Sequence, residues 1–396
     1  MSAPRPPGHS GCDPGAKPCI AFALFKYFPY GGLQRDFLRV ARACADRGFA
    51  IRVYTLSWQG ERPEDFEIVA VPVRALVNHR RYERFVRWME RDLERRPVAL
   101  RVGFNKIPNL DVYYAADPCF EEKARELRHP LYRLSGRYRV FARFERAVFA
   151  PGARTRILLI TARQQRVFQH YYGTPDARFT VLPPPVAPER RRPADAAAIR
   201  AAFRAEQGLG AADLLVLAVG SGFVTKGLDR SLRALAALPP RLRARIRFHV
   251  VGADNPRRFA AQATRLGIAD RVTWFGGRDD VQRFLLGADV LLHPAYMESG
   301  GIVLLEAMIA GLPVIATDVC GFAPLIEEAG AGLVLSSPFE QAALDAALVR
   351  VLDDAAERAR WSAQGIAFGR RPDLYGMADR AAAIIGACAH GEHIPA

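Results

Sequence analysis

Apolar and polar positions along the chain switch between two periods. Short apolar runs occur at Ile20–Phe25, Ile51–Leu56, Glu67–Val73, Ala99–Phe104, Val112–Ala116 and Arg156–Thr161, the lengths and compositions of strands. Between them lie segments with apolar residues three and four apart: Leu33–Arg47, closed by Gly48; Arg80–Arg95; a long helical region after Ala116; and a helix ending at Tyr172. Strand, glycine turn, helix, strand is the order of a βαβ unit. The pattern pauses after Phe179–Leu182, at Pro183, Pro184, Pro185 and a polar, basic stretch to Arg192, which reads as a linker. It then restarts with strands at Leu214–Val219, Ile246–Val251, Val272–Phe275, Val290–His293 and Pro313–Thr317, and a helix at Leu228–Leu238. Two successive sets of alternating elements predict an α/β protein of two doubly wound, Rossmann-like domains facing one another. Ligands of such sheets bind at the carboxyl ends of the strands, so the cleft between domains is the expected site. The expected boundaries are a disordered tail over 1–18, a first domain over 19–175, a second over 176–370, and a C-terminal helix in 371–396 crossing back to the first domain.

Composition narrows the function classes. Half of the residues are hydrophobic, enough to fill two cores, and no apolar run reaches the roughly 18 residues of a membrane span. Met1–Lys17 is rich in Pro and Gly and lacks the apolar segment of a signal peptide. The six cysteines, Cys12, Cys19, Cys44, Cys119, Cys320 and Cys388, are scattered without C-x-x-C or zinc spacing, and the histidines show none either. Reduced thiols, a cytoplasmic setting and no metal are therefore expected. The net charge of +15 suits nucleic acid, an anionic membrane or a phosphorylated substrate. Gly220–Gly227 lacks the spacing of a P-loop, and neither it nor Gly31-Gly32 gives G-x-G-x-x-G, which argues against a nicotinamide dehydrogenase.

The richest chemistry lies between His293 and Pro313. His293-Pro294 ends a strand, Gly300-Gly301 opens a helix running to Ala310, and Gly311 to Pro313 closes it. A helix N-terminus offers free N–H groups and a partial positive charge, so it attracts phosphate or sugar oxygens. Glu298 precedes this helix and is expected to point into the cleft. Glu306 lies on it, where a carboxylate can accept both hydroxyls of a ribose. Asp117 ends a first-domain strand and is the candidate acceptor-side carboxylate, as base or polar anchor; a helix cap is the plain alternative.

Glu298-x7-Glu306, with His293-Pro294 before it, resembles the signature of retaining GT-B glycosyltransferases of family 4. Phe25–Asp36, Val102–Pro108, Ala115–Asp117, Phe275–Val281 and Leu291–Tyr296 resemble, more narrowly, the bacterial lipopolysaccharide core glucosyltransferase I family. The resemblance covers nearly the whole chain after the tail. It implies UDP-glucose as donor, an inner-core heptose of lipopolysaccharide as acceptor, an α-1,3 product with retained configuration, and metal-free catalysis. It implies that Glu306 holds the uridine ribose. Glu298 and the backbone of Ser299, Gly300, Gly301, Ile302 and Val303 would contact the donor sugar and diphosphate. Lys226 and Arg278 would neutralise charge building on the departing UDP. Gly31 and Gly32 would let a first-domain loop close on the phosphates, with Asp36 orienting that loop or meeting the acceptor. The chain departs from the family at Thr225, where an arginine usually precedes the phosphate lysine; either Arg190 or another arginine compensates, or donor affinity is lower. It also departs at Pro185, where the family tends to have glycine.

The segment 120–149 adds a partner. Between Lys123 and Arg146 there are eight Lys or Arg residues, and no acid occurs from Leu127 to Phe144. Leu127, Leu131, Leu134, Tyr138, Phe141 and Val148 fall largely at helical spacing, although Pro130 and Gly136 are potential interruptions. An apolar face flanked by Arg133, Arg137, Arg139 and Arg143 suits an anionic membrane surface, here the inner membrane reached from the cytoplasm. RNA is the competing partner, but no RRM, KH or zinc-knuckle pattern accompanies the basic residues, so no nucleic acid is expected. Rival readings are a related family 4 transferase of another UDP-sugar, an epimerase or hydrolase on the same fold, and a non-catalytic membrane-bound scaffold.

Overall fold

The computed structural model describes residues 17–29 and 31–392; of the expected tail, all but Lys17 and Pro18 lies outside the described residues. Seven strands form the first sheet: β1 (Cys19–Ala23), β2 (Ala50–Thr55), β3 (Phe66–Ala70), β4 (Leu100–Gly103), β5 (Val112–Ala115), β6 (Arg156–Leu159) and β7 (Phe179–Val181). Six form the second: β8 (Leu214–Val219), β9 (Ile246–Val251), β10 (Val272–Gly276), β11 (Val290–His293), β12 (Val314–Thr317) and β13 (Gly332–Leu335). Their orders are β3-β2-β1-β4-β5-β6-β7 and β10-β9-β8-β11-β12-β13, and every pairing is parallel. The central strands are continuous apolar runs because helices cover both faces. Leu214, Leu215, Val216 and Leu217 of β8 are all buried. This is the GT-B arrangement of two Rossmann-like domains. In each sheet the strand order reverses once, between β1 and β4 and between β8 and β11, and these two switch points position the site.

One boundary, that between the domains, differs from the sequence expectation. β7 pairs with β6, with Leu159 opposite Val181, so the first domain runs past residue 175. Leu182 is buried in the first domain's core and Val186 in the second's, so the chain crosses within Pro183–Pro185. Prolines restrict the backbone at that crossing. Arg39, on the helix Gly32–Asp46, donates from Nη2 to the Pro185 carbonyl at 2.7 Å. At the other end, the helix Met377–Ala389 packs Met377, Ala381, Ala382, Ile384 and Ile385 into the first domain's core, against Gly32–Asp46.

The basic segment is not one helix. It comprises Phe120–Glu126, a 3-10 turn at Pro130–Leu134, and Gly136–Phe149, whose start Ser135 caps by accepting from Tyr138 N at 3.1 Å. The breaks fall at Pro130 and Gly136, and they divide the expected apolar face. Leu127, Leu131 and Leu134 are exposed, whereas Val148 is fully buried with Val140, Phe144 and Phe149 in the first domain's core.

Candidate active site

The second domain's switch point brings together the loops that follow β8 and β11. Gly227 sits in the left-handed region at φ +71°, and a Cβ there would collide with the Pro294 carbonyl, so the two loops touch backbone to backbone. Thr225 completes the joint. Its carbonyl accepts from Tyr296 N at 2.8 Å, and its hydroxyl donates to Gly222 O at 2.9 Å. Lys226 and Glu298, one from each loop, are thereby held in direct ion-pair contact between Nζ and Oε2. Burial pulls the Lys226 ammonium down to about 8. His293, at the end of β11, is held down to about 3 by burial first and Lys226 second, so it is a neutral imidazole. Its Nε2 lies 3.5 Å from Glu298 Oε2 and makes no hydrogen bond.

The lowered Lys226 value gives a pH prediction. The amine binds its proton below about 8 and loses it as pH rises through that value. A phosphate partner needs the charged form, so kcat/KM for the donor, which reports the free enzyme, should fall up to about tenfold per pH unit above that region. Lys226→Arg should move this alkaline limb upward. A profile flat to pH 10 in the wild type would remove Lys226 from the site.

Glu298 leads through Ser299 and Gly300 to Gly301, the helix N-cap, at φ +82°. Apart from Glu306 the helix Ile302–Ala310 is apolar all round, and it is buried from Val303 to Ala310. Glu306 is a buried carboxylate within this helix, and its Oε1 lies 3.2 Å from Arg190 Nε. Arg190 comes from the 3-10 turn Pro188–Arg190, just past the domain crossing. A buried charge needs such a partner.

The first domain supplies the opposite wall. A cleft between the domains is lined by Glu122, Arg163 and Gln164 on one side and Tyr296, Glu298 and Ser299 on the other. Thr161 Oγ1 donates to Ser299 O at 3.1 Å and Arg163 Nη1 to Asp318 O at 3.3 Å, joining the walls. Asp117 follows β5 at this side. Burial raises its carboxyl, and the nearby Lys106 opposes that rise. Lys106 donates to the fully buried Glu145 at 2.5 Å, and Glu145 also accepts from Phe120 N at 2.7 Å and Glu121 N at 2.9 Å. That carboxylate caps the helix Phe120–Glu126, three residues beyond Asp117. Glu122, Arg163 and Gln164 were not singled out in the sequence. The signal available was position: Arg163 and Gln164 open the helix that follows β6, and Glu122 lies in the helix that follows β5.

Other candidate residues stand apart from the Lys226–Glu298 pair. Arg278, beyond β10, is bound at both Nε and Nη2 to Asp280, each at 2.8 Å, and must leave or share that partner to meet a phosphate. Asp36 is taken up by Tyr114 Oη at 2.8 Å and Arg39 Nη2 at 2.6 Å. It therefore braces the helix Gly32–Asp46 against β5 and, through Arg39, against Pro185. Gly31 caps the start of that helix, and a side chain at Gly32 would meet nothing within 4 Å. Arg133, Arg137, Arg139 and Arg143 are all exposed on the first domain, with Arg143 paired to Glu83 at 2.5 Å. Among the described residues, no group of three or more His, Cys, Asp or Glu side chains could hold a metal ion.

Comparison with known proteins shows what the chain as a whole is similar to. The family model for glycosyl transferases group 1 matches residues 199–368. The chain is 45% identical over 366 residues to the lipopolysaccharide glucosyltransferase WaaG of Escherichia coli (strain K12), spanning 92% of this chain and 98% of that one. The crystal structure of WaaG, a glycosyltransferase involved in lipopolysaccharide biosynthesis, superposes with a TM-score of 0.88 over 92% of this chain and 99% of the other. Sucrose-phosphate synthase from Thermosynechococcus elongatus shares the fold at 19% identity, with a TM-score of 0.75 over 95% of this chain and 99% of that one.

Proposed function

This chain belongs to the GT-B lipopolysaccharide core glucosyltransferases, and on that footing we propose that it moves glucose from UDP-glucose to an inner-core heptose of lipopolysaccharide. The observation that carries the reading is the Lys226–Glu298 pair at the second domain's switch point, beside a buried helix N-terminus. UDP leaves with its diphosphate gaining charge. Lys226 and the N–H groups opening the helix Ile302–Ala310 are preorganised donors for that charge, the kind of term that often dominates catalysis. Glu298 keeps Lys226 oriented and is placed to contact the donor sugar. Glu306 takes the ribose hydroxyls while Arg190 balances its charge. The heptose enters from the first-domain wall, where Asp117 and Glu122 stand, and the product is an α-1,3 linkage with configuration retained.

A donor screen tests this. The purified protein is given UDP-glucose, UDP-galactose or a UDP-N-acetylhexosamine, each with and without lipopolysaccharide truncated at the inner-core heptose. Glucose transfer only with acceptor present is the expected result. UDP release without acceptor would favour a hydrolase, an epimerised sugar an epimerase, and inertness toward every donor a scaffold.

The reading extends to an anionic membrane surface at the cytoplasmic face. No helix among the described residues is long and apolar enough to cross a membrane. What supports surface contact is an apolar patch inside a basic rim. Leu131 and Leu134 are 67% and 74% exposed beside Arg133 and Arg137. The fully exposed Leu76 precedes a helix whose His79 comes within 3.5 Å of where a Cβ on Gly136 would lie. Apolar insertion and attraction to anionic headgroups would act together there. Co-sedimentation should be strong with vesicles containing phosphatidylglycerol and weak with phosphatidylcholine alone. Leu131→Asp with Leu134→Asp, or charge reversal at Arg133, Arg137 and Arg139, should reduce it at least tenfold. Equal binding to both vesicle types would remove the electrostatic part of the reading.

A further inference from the structure

Gln164 carries an inference that rests on the sugar-transfer reading above and sharpens it. It lies in the first turn of the helix Ala162–Tyr172, is only 5% exposed, and lines the cleft opposite Glu298 and Ser299. Its Nε2 donates to the backbone carbonyl of Asp117 at 3.1 Å. A carbonyl can only accept, so that bond fixes which end of the amide is which. Oε1 then faces elsewhere, buried and without a hydrogen-bond partner. Across the cleft, the Ser299 hydroxyl is likewise buried and unpaired, at 8% exposure. Buried polar atoms are nearly always satisfied, so two orphans lining one cleft mark a place where a ligand completes the set.

We propose that Gln164 Oε1 accepts a hydrogen bond from one hydroxyl of the acceptor sugar, and that Gln164 is a specificity-determining residue for the acceptor. The chemistry follows from the atom. A fixed carbonyl oxygen selects a donor, and a sugar hydroxyl is a donor that also tolerates the carboxylates nearby. The placement favours acceptor over UDP-glucose. Gln164 is anchored to the strand-end turn at Asp117 in the first domain, whereas Lys226, Glu298 and Glu306 all lie in the second. The same side chain therefore holds the Asp117 turn with one end and reads the sugar with the other. A site built to bond a hydroxyl discriminates strongly against an analogue lacking it, because the buried partner is left unpaired.

The test combines Gln164→Leu with acceptors from which single ring hydroxyls have been removed. For the wild type, one monodeoxy acceptor should lose roughly 10- to 100-fold in kcat/KM relative to the intact acceptor. Gln164→Leu should lose a similar factor on the intact acceptor yet barely distinguish it from that same monodeoxy analogue. Affinity for UDP and the KM for UDP-glucose should stay within about twofold of wild type. If Gln164→Leu loses its cooperative melting transition, Gln164→Met replaces it, and the deoxy series on the wild type stands without any variant. Full tolerance of every deoxy acceptor by the wild type would overturn the assignment, as would equal losses for donor and acceptor in the variant. Failure of the wild type to transfer glucose at all would instead overturn the functional reading on which the assignment rests.

Discussion

Lys226→Ala should lower kcat/KM for UDP-glucose on the order of 10²–10³-fold, the range seen when one preorganised donor to a developing oxyanion is removed. The neighbouring position, arginine in the family pattern, is Thr225, and its hydroxyl and carbonyl are engaged with Gly222 and Tyr296. Arg278 is held at Nε and Nη2 by Asp280, and Arg190 lies against Glu306, so to substitute each must leave its carboxylate or share itself between that carboxylate and the phosphate. Removing Lys226 also leaves Glu298 unpaired. Breaking one side of a buried pair costs about 3–5 kcal/mol, and less here because Lys226 keeps 25% of its side chain exposed. The double variant Lys226→Met/Glu298→Gln separates the two effects: it should regain most of the melting temperature and none of the turnover. Turnover within tenfold of wild type in Lys226→Ala would show that the leaving diphosphate is stabilised elsewhere.

Glu298→Ala and Glu306→Ala should divide the kinetic parameters between them. Glu298 touches Lys226 and opens into the cleft, so its loss acts on the reacting end of the donor. A fall in kcat of about 10²-fold or more is expected, with a smaller change in KM. Glu306 is buried on the helix and pairs with Arg190, whereas Lys226 pairs with Glu298. Two ribose hydrogen bonds, at about 1–1.5 kcal/mol each, correspond to a rise in KM for UDP-glucose of about 30- to 150-fold. Steady-state kinetics across both variants checks the division. Glu306→Ala with normal KM and depressed kcat, or Glu298→Ala with wild-type rates, would reverse the two roles.

Most of the fold was legible because each domain repeats one local rule. The runs that became β1, β8 and β11 are apolar almost throughout, as strands buried on both faces must be, and β2 and β9 break the run only at Arg52 and Thr55 and at Arg247 and His249. β13 was missed: Gly332–Leu335 is a half-buried edge strand whose apolar run, Leu333 to Leu335, is only three residues long. The residue 175 boundary failed for a related reason. β7 is three residues long, and its membership of the first sheet is a fact of pairing with β6, which no local pattern encodes. The basic segment misled through periodicity. Spacing counted Val148 with Leu131 and Leu134, but the breaks at Pro130 and Gly136 turn one to the core and leave the others exposed.

By itself, the sequence determined two parallel α/β domains, the proline crossing between them, and a Glu298–Glu306 segment opening a helix, because strand burial, glycine turns and helix ends are local chemistry. Only the tertiary structure decided which of the candidate side chains meet. Lys226 and Glu298 are 72 residues apart and come into contact because adjacent strands β8 and β11 deliver their loops to one switch point. Arg278 and Asp36 passed the same sequence tests, yet Asp280, Tyr114 and Arg39 claim them first. Gln164 carried no motif, and only the folded chain shows that it lines the cleft with its amide oxygen buried and unpaired.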